Sequence, residues 1–117
     1  MKQPLIILTG PTAVGKTKLS IALAKEINGE IISADSMQVY KRMTIGTAKI
    51  LPEEMQGVVH HLIDILEPEE EFNVVLFARL AKQAMEQCWN HGKIPILVGG
   101  TGFYIQALLY DIAFSEN

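Results

Sequence analysis

Gly10-Pro11-Thr12-Ala13-Val14-Gly15-Lys16-Thr17 decides the fold, because it satisfies G-x-x-x-x-G-K-[ST] and sits between an apolar run and a helical pattern. Before it, Pro4–Leu8 is short and apolar and ends in Thr9-Gly10, as a buried strand of a parallel sheet does when it meets a glycine turn. After it, Leu19, Ala22, Leu23 and Ile27 recur at helical spacing, and Asn28-Gly29 supplies a stop signal. In such a loop the glycines let the backbone curl until successive N–H groups point at phosphate oxygens, and the helix dipole starting near Lys16 adds positive potential. Lys16 contributes a point charge, and the Thr17 hydroxyl stands where a magnesium ion bridging two phosphates takes a ligand. A glycine turn that merely links strand to helix would need neither the lysine nor the threonine.

Outward from the loop, Glu30–Ala34 carries the β-branched pair Ile31-Ile32 and delivers Asp35-Ser36 to the carboxyl end of a second strand. That strand is expected beside the first, which would set Asp35 across a crevice from the phosphate loop. Asp35 then has three readings: a magnesium ligand through water, an acceptor of a proton from the attacking group, or a plain helix or turn cap. Residues 36–71 show no sustained period, apart from Pro52-Glu53-Glu54, which reads as a first helical turn. Asn73 is placed to cap a helix with Val74, Phe77, Ala78, Ala81, Met85 and Cys88 on its apolar face and Gly92 at its stop. Ile94–Val98 reads as a third strand, followed by Gly99-Gly100-Thr101-Gly102 and a helix that buries Phe103, Ala107 and Leu108. The Thr101 hydroxyl suits a phosphate or an acceptor equally well, and also suits an N-cap.

Strands alternating with helices predict an α/β, three-layer fold with a mainly parallel sheet, and residues 1–117 have the length of one domain. Hydrophobic residues make up 49% and charged residues 20%, which excludes a disordered chain. The net charge of −3 gives no electrostatic argument for a nucleic-acid partner. No apolar run approaches the ~20 residues of a membrane span and no cleavable leader is evident, so no membrane partner and a cytoplasmic location are expected. The single cysteine, Cys88, reads as a small buried hydrophobe rather than a nucleophile. His60 and His61 diverge if they lie in a strand, and without another ligand at metal-binding spacing they predict no zinc site. Trp89 and the tyrosines are too scattered for a base-stacking platform and read as packing residues.

Four stretches together resemble the tRNA dimethylallyltransferases (the tRNA isopentenyltransferase, or IPP transferase, family): GPTAVGKT at 10–17, DSMQVYKRMTIGTAK at 35–49, HHLIDI at 60–65 and VGGTGFYIQALL at 98–109. The resemblance implies a P-loop NTPase-like fold whose phosphate cradle holds dimethylallyl diphosphate, and transfer of the dimethylallyl group to the exocyclic amine of the tRNA adenosine beside the anticodon. By that likeness Gly10 through Thr17 bind the diphosphate, with Mg²⁺ beside Thr17. Asp35 becomes the general base, Thr101 sits near the amine and the bridging oxygen, and Asp35, Ser36, Met37, Gln38 and Thr101 contact the tRNA. Met37 stands where family members often carry arginine. Members are well over twice as long, so the chain looks like an amino-terminal portion lacking the helical tRNA-gripping parts. It is expected to be monomeric and, alone, weakly active or inactive. The alternatives are an adenylate isopentenyltransferase, a small-molecule or nucleotide kinase, and a phosphate-binding module without turnover.

Overall fold

In a computed structural model of the chain, residues 4–9, 13–34, 39, 52–67, 69–99 and 102–115 are described, the side chains of 9, 13–17, 102–103 and 113–115 excepted. The elements are β1 (Ile6–Thr9), α1 (Ala13–Ile27), β2 (Gly29–Ser33), a 3₁₀ turn (Pro52–Met55), β3 (His60–His61), α2 (Val74–Asn90), β4 (Ile94–Gly99) and α3 (Gly102–Ser115). The expected order holds, with one addition. Two residues inside the stretch that showed no period, His60 and His61, form the edge strand β3. A two-residue strand is too short to display the alternation by which strands are recognised.

The sheet is wholly parallel, in the order β1-β4-β2-β3. β4 therefore lies between β1 and β2, which corrects the expectation that β2 is the immediate neighbour of β1. Sequence gives strands but not their lateral order, which follows from how the connecting helices cross the sheet. Side chains alternate across β2 and β4 as the pleat requires. Ile31 and Ile96 pack with Ile21 and Ala24 of α1 on one face, while Ile32 and Leu97 pack with Phe77, Ala81, Met85 and Cys88 of α2 and Ile105 and Leu108 of α3 on the other. Phe77 is fully buried, which by area contributes roughly 1.5–3 kcal/mol, and its ring meets Phe72 edge-on at 6.2 Å and Tyr104 at 5.4 Å.

The face of α1 turned to the sheet is not the one its spacing suggested. Ser20, Ile21 and Ala24 are buried, Leu23 and Ile27 are half-buried, and Leu19 is 55% exposed. Residues 21–24 read Ile-Ala-Leu-Ala, apolar on every side, so periodicity there cannot select one face. α3 also turns slightly from expectation, burying Ile105 and Leu108 and leaving Ala107 half-buried.

Helix ends follow local chemistry closely. Asn73, extended at φ −137°, ψ 177°, accepts the Leu76 N–H through Oδ1 at 2.9 Å and so starts α2. At the other end Gly92 takes φ +71°, its N–H donates to Trp89 O, and the Lys93 N–H donates to Cys88 O at 2.8 Å, a Schellman stop. In Asn28-Gly29 it is Asn28 that takes the left-handed turn, at φ 60°. Gly29 instead supplies clearance, since a Cβ there would lie 2.8 Å from Ile94 O.

Candidate functional site

Three strands end level with one another. Thr9 is paired with Gly99 and Ser33 with Val98, and the Ala34 N–H donates to Val98 O at 2.8 Å. The described backbone reaches this edge one residue before Gly10, Asp35 and Gly100 in sequence, where three of the four resembling stretches begin or continue. At ~4.8 Å per strand spacing, the ends of β1 and β2 lie about 10 Å apart with β4 between them. This is the carboxyl edge of a parallel sheet, where α/β folds of this kind bind ligands.

Gly99 is held there by a steric requirement. A Cβ on it would come within 2.8 Å of the Ala34 Cβ and 2.9 Å of Ala34 O. The backbone of β4 thus presses against Ala34, the residue that precedes Asp35 in sequence. Val39, buried to 1% exposure, anchors the far end of the same segment, its carbonyl accepting the N–H groups of Ile65 and Leu66 at 2.9 and 3.0 Å. Those two donors lie just beyond β3, in HHLIDI and its continuation, so the second and third resembling stretches are hydrogen-bonded to each other. Leu62 and Asp64, at φ 67° and 57°, turn the chain there; Leu62 is nonetheless buried, and its packing offsets a conformation that costs an L-residue roughly 1–2 kcal/mol.

Of the site residues expected from sequence, Ala13, Val14, Gly15, Lys16 and Thr17 are placed by their backbone, as the first residues of α1. The helix opens inside the phosphate-loop motif, three residues earlier than the start near Lys16 expected from sequence. Gly10, Pro11, Thr12, Asp35, Ser36, Met37, Gln38 and Thr101 lie outside the described residues, as do the basic Lys41, Arg42 and Lys49.

At the opposite, amino edge the tertiary structure gathers a polar cluster that spacing along the chain did not show. Glu30 of β2, only 4% exposed, accepts from His61 Nε2 at 2.8 Å and from the Cys88 thiol at 3.5 Å. Cys88 Sγ lies 3.7 Å from the same His61 nitrogen, and His91 Nδ1 lies 3.7 Å from Glu30 Oε2. Burial works to raise the Glu30 pKa, but hydrogen bonds from His61 and Cys88 and the nearby histidine charges outweigh it and hold the carboxyl below its ordinary value. The Cys88 thiol is pushed up to about 12, by burial first and then by the Glu30 charge and hydrogen bond. It is therefore protonated at neutral pH when no cation is bound. His60 turns away from His61, as adjacent strand residues should, and is bound to Val58 O at 2.9 Å. Desolvation lowers its pKa, and the His61 charge adds to this against the Val58 hydrogen bond. Trp89 packs and donates to Pro4 O at 2.9 Å. Among the described residues no helix is long and apolar enough to cross a membrane.

An all-parallel sheet between α1 on one face and α2 and α3 on the other, with a glycine-lysine loop opening the first helix, is the P-loop NTPase-like architecture. Residues 38–117 match the family model described as IPP transferase, and the chain belongs to that family. It is 72% identical over 98% of its length to the tRNA dimethylallyltransferase of Lachnoclostridium phytofermentans and 59% identical over 99% to that of Bacillus subtilis. The full-length tRNA isopentenylpyrophosphate transferase of Bacillus halodurans superposes with a TM-score of 0.89 at 55% identity, covering 94% of the chain and 36% of that protein. A eukaryotic dimethylallyltransferase, solved while acting on tRNA, gives a TM-score of 0.84 at 44% identity over 92% of the chain and 27% of its own. The chain spans 37% of the length of both curated relatives.

Proposed function

We propose that residues 1–117 form the donor-gripping core of an enzyme that moves a dimethylallyl group from dimethylallyl diphosphate to the exocyclic amine of a tRNA adenosine beside the anticodon. The observation that supports this reading is the level ending of β1, β4 and β2, the strands that Gly10, Gly100-Thr101 and Asp35 follow in sequence. In this mechanism the amides of 10–17 and the Lys16 ammonium bind the diphosphate and stabilise the charge that builds on it as it leaves. The adenine nitrogen attacks the allylic carbon, the carbon–oxygen bond to the diphosphate breaks, and the nitrogen loses its proton to Asp35. Thr101 donates a hydrogen bond to the bridging oxygen. Entry of the adenine requires that it be turned out of its stack, and Ser36, Met37 and Gln38 line its path.

Thr17 offers a hydroxyl, a hard oxygen donor of the kind Mg²⁺ takes beside phosphate oxygens. An ion held there would supply counter-charge to the leaving diphosphate. The relatives' names, which specify tRNA and dimethylallyl transfer, favour this chemistry over phosphoryl transfer on the same fold.

The test uses the complete reading frame with dimethylallyl diphosphate and an anticodon stem-loop. Asp35→Ala should still bind diphosphate while transfer falls by about 10²–10⁴, the usual share of a general base. Transfer of labelled γ-phosphate from ATP, with dimethylallyl diphosphate left intact, would replace the reading with a kinase.

A further inference from the structure

The polar cluster at the amino edge has no part in the proposed transfer chemistry. Counted along β2 at ~3.3 Å per residue, Glu30 lies about 16 Å from the exit of Asp35. Its members come from three elements. Glu30 is on β2, His61 on the edge strand β3, and Cys88 in the last turn of α2. Glu30 and Ile32 share a face of β2, and His61 is paired opposite Ile32, so both polar side chains turn toward α2, where Cys88 meets them. One ligand-capable atom from each residue lies within 4.8 Å of the others. We propose that Glu30, His61 and Cys88 form a binding site for a thiophilic divalent cation, best matched by zinc, with His91 completing the coordination.

The separations carry the inference. A tetrahedral zinc with metal–nitrogen and metal–oxygen bonds of ~2.0–2.1 Å and a metal–sulfur bond of ~2.3 Å sets its ligand atoms roughly 3.3–3.6 Å apart. Glu30 Oε1 to Cys88 Sγ is 3.5 Å and Cys88 Sγ to His61 Nε2 is 3.7 Å. Glu30 Oε1 to His61 Nε2 is 2.8 Å, a hydrogen-bond length that opens by about half an ångström on coordination. The donor set of one sulfur, one nitrogen and one oxygen suits zinc and disfavours magnesium or calcium, which take oxygen shells.

Charge points the same way. Glu30 is 5% exposed at its side chain and Cys88 is fully buried, so carboxylate and thiolate together would be costly there, whereas a dication neutralises both. On binding, the Cys88 thiol proton goes to solvent, and neutral His61 carries its single proton on Nδ1 instead of Nε2. Occupancy should therefore rise with pH. His91, in the turn after α2, is 60% exposed at its side chain. With Nδ1 beside Glu30 it supplies both the entry path and the fourth ligand.

Cys88 is the only cysteine of the chain, which makes a thiolate signal unambiguous. Metal-free protein titrated with Co²⁺ should bind one equivalent, with a thiolate-to-cobalt charge-transfer band and tetrahedral ligand-field bands that Zn²⁺ abolishes. His61→Gln retains an amide donor for Glu30 and should keep the fold by circular dichroism. It should weaken Co²⁺ and Zn²⁺ binding at least about 100-fold, the upper end of what loss of a mere outer partner costs. His91→Ala should cost about 10-fold, the lower end of that range. Cys88→Ala should remove the charge-transfer band. Absence of that band in folded wild-type protein, or a band of equal affinity in His61→Gln and Glu30→Gln, would overturn the site and leave a hydrogen-bonded network alone.

Discussion

The two edges of the sheet differ in how their polar residues are brought together. At the carboxyl edge the chemistry is written in contiguous segments: the phosphate loop is eight consecutive residues, and the acid and the second glycine loop each follow directly on a strand. At the amino edge Glu30, His61, Cys88 and His91 form no contiguous segment and are up to 61 positions apart, counted from 30 to 91; only the packing of α2 against β2 and β3 unites them. Contiguity at one edge serves backbone recognition, because consecutive amides can converge on a phosphate only if they are neighbours in sequence. Side-chain recognition has no such demand, since each ligand needs only a Cβ vector aimed at a common point.

That difference can be broken experimentally, since changes at one edge should leave the other intact. Of Lys16→Ala, Gly99→Ala and Glu30→Gln, the first should have the largest effect, since it removes the point charge of the proposed phosphate cradle. In the complete reading frame it should lower dimethylallyl transfer by about 10²–10³, as loss of one donor to a developing anion does. The Co²⁺ titration of the amino edge should be unchanged. A smaller effect, on stability, is expected from Gly99→Ala. The new Cβ must displace the Ala34 backbone 2.9 Å away, an overpacking that costs about 1–3 kcal/mol and should appear as a lower urea midpoint with an unchanged slope. In the complete reading frame dimethylallyl transfer should fall in parallel, because Asp35 follows directly on Ala34 in sequence. Equal stability of the variant would show that the carboxyl edge tolerates movement.

The smallest effect belongs to the amino edge and is read as a pH dependence of metal-free protein. Glu30 has its folded pKa held below the ordinary value. The unfolded chain therefore takes up the proton first on acidification, and stability gained above the unfolded pKa is lost as pH falls through the folded one. Glu30→Gln should flatten the acid limb of a urea-midpoint profile below about pH 4.5, the group's ordinary value, while leaving diphosphate binding untouched. An unchanged acid limb would mean that the cluster contributes nothing to folding through its charge.

Much of the fold was legible because it rests on short-range rules. β1, α2 with its Asn73 cap and Gly92 stop, and β4 follow from apolar runs, a side-chain acceptor and a left-handed glycine, each determined within a few residues. The misreadings share a cause. The buried face of α1, the position of β4 between β1 and β2, and the existence of β3 all depend on which surface a segment meets, and none has a local signature. His60 and His61 show the limit most clearly. Their divergence could be foreseen from the strand period, but the partner of His61 is Glu30, 31 residues away.

By itself, then, the sequence determined a phosphate-loop motif, the family and the alternation of strands and helices, because motif spacing, caps and periodicity are properties of neighbouring residues. The tertiary structure alone decided the strand order that levels three strand ends at one edge, the close approach of Gly99 to Ala34, and the meeting of a carboxylate, an imidazole and a thiol at the other. Those are contacts between residues remote along the chain, fixed when apolar faces are driven together and the pleat assigns each side chain its side of the sheet.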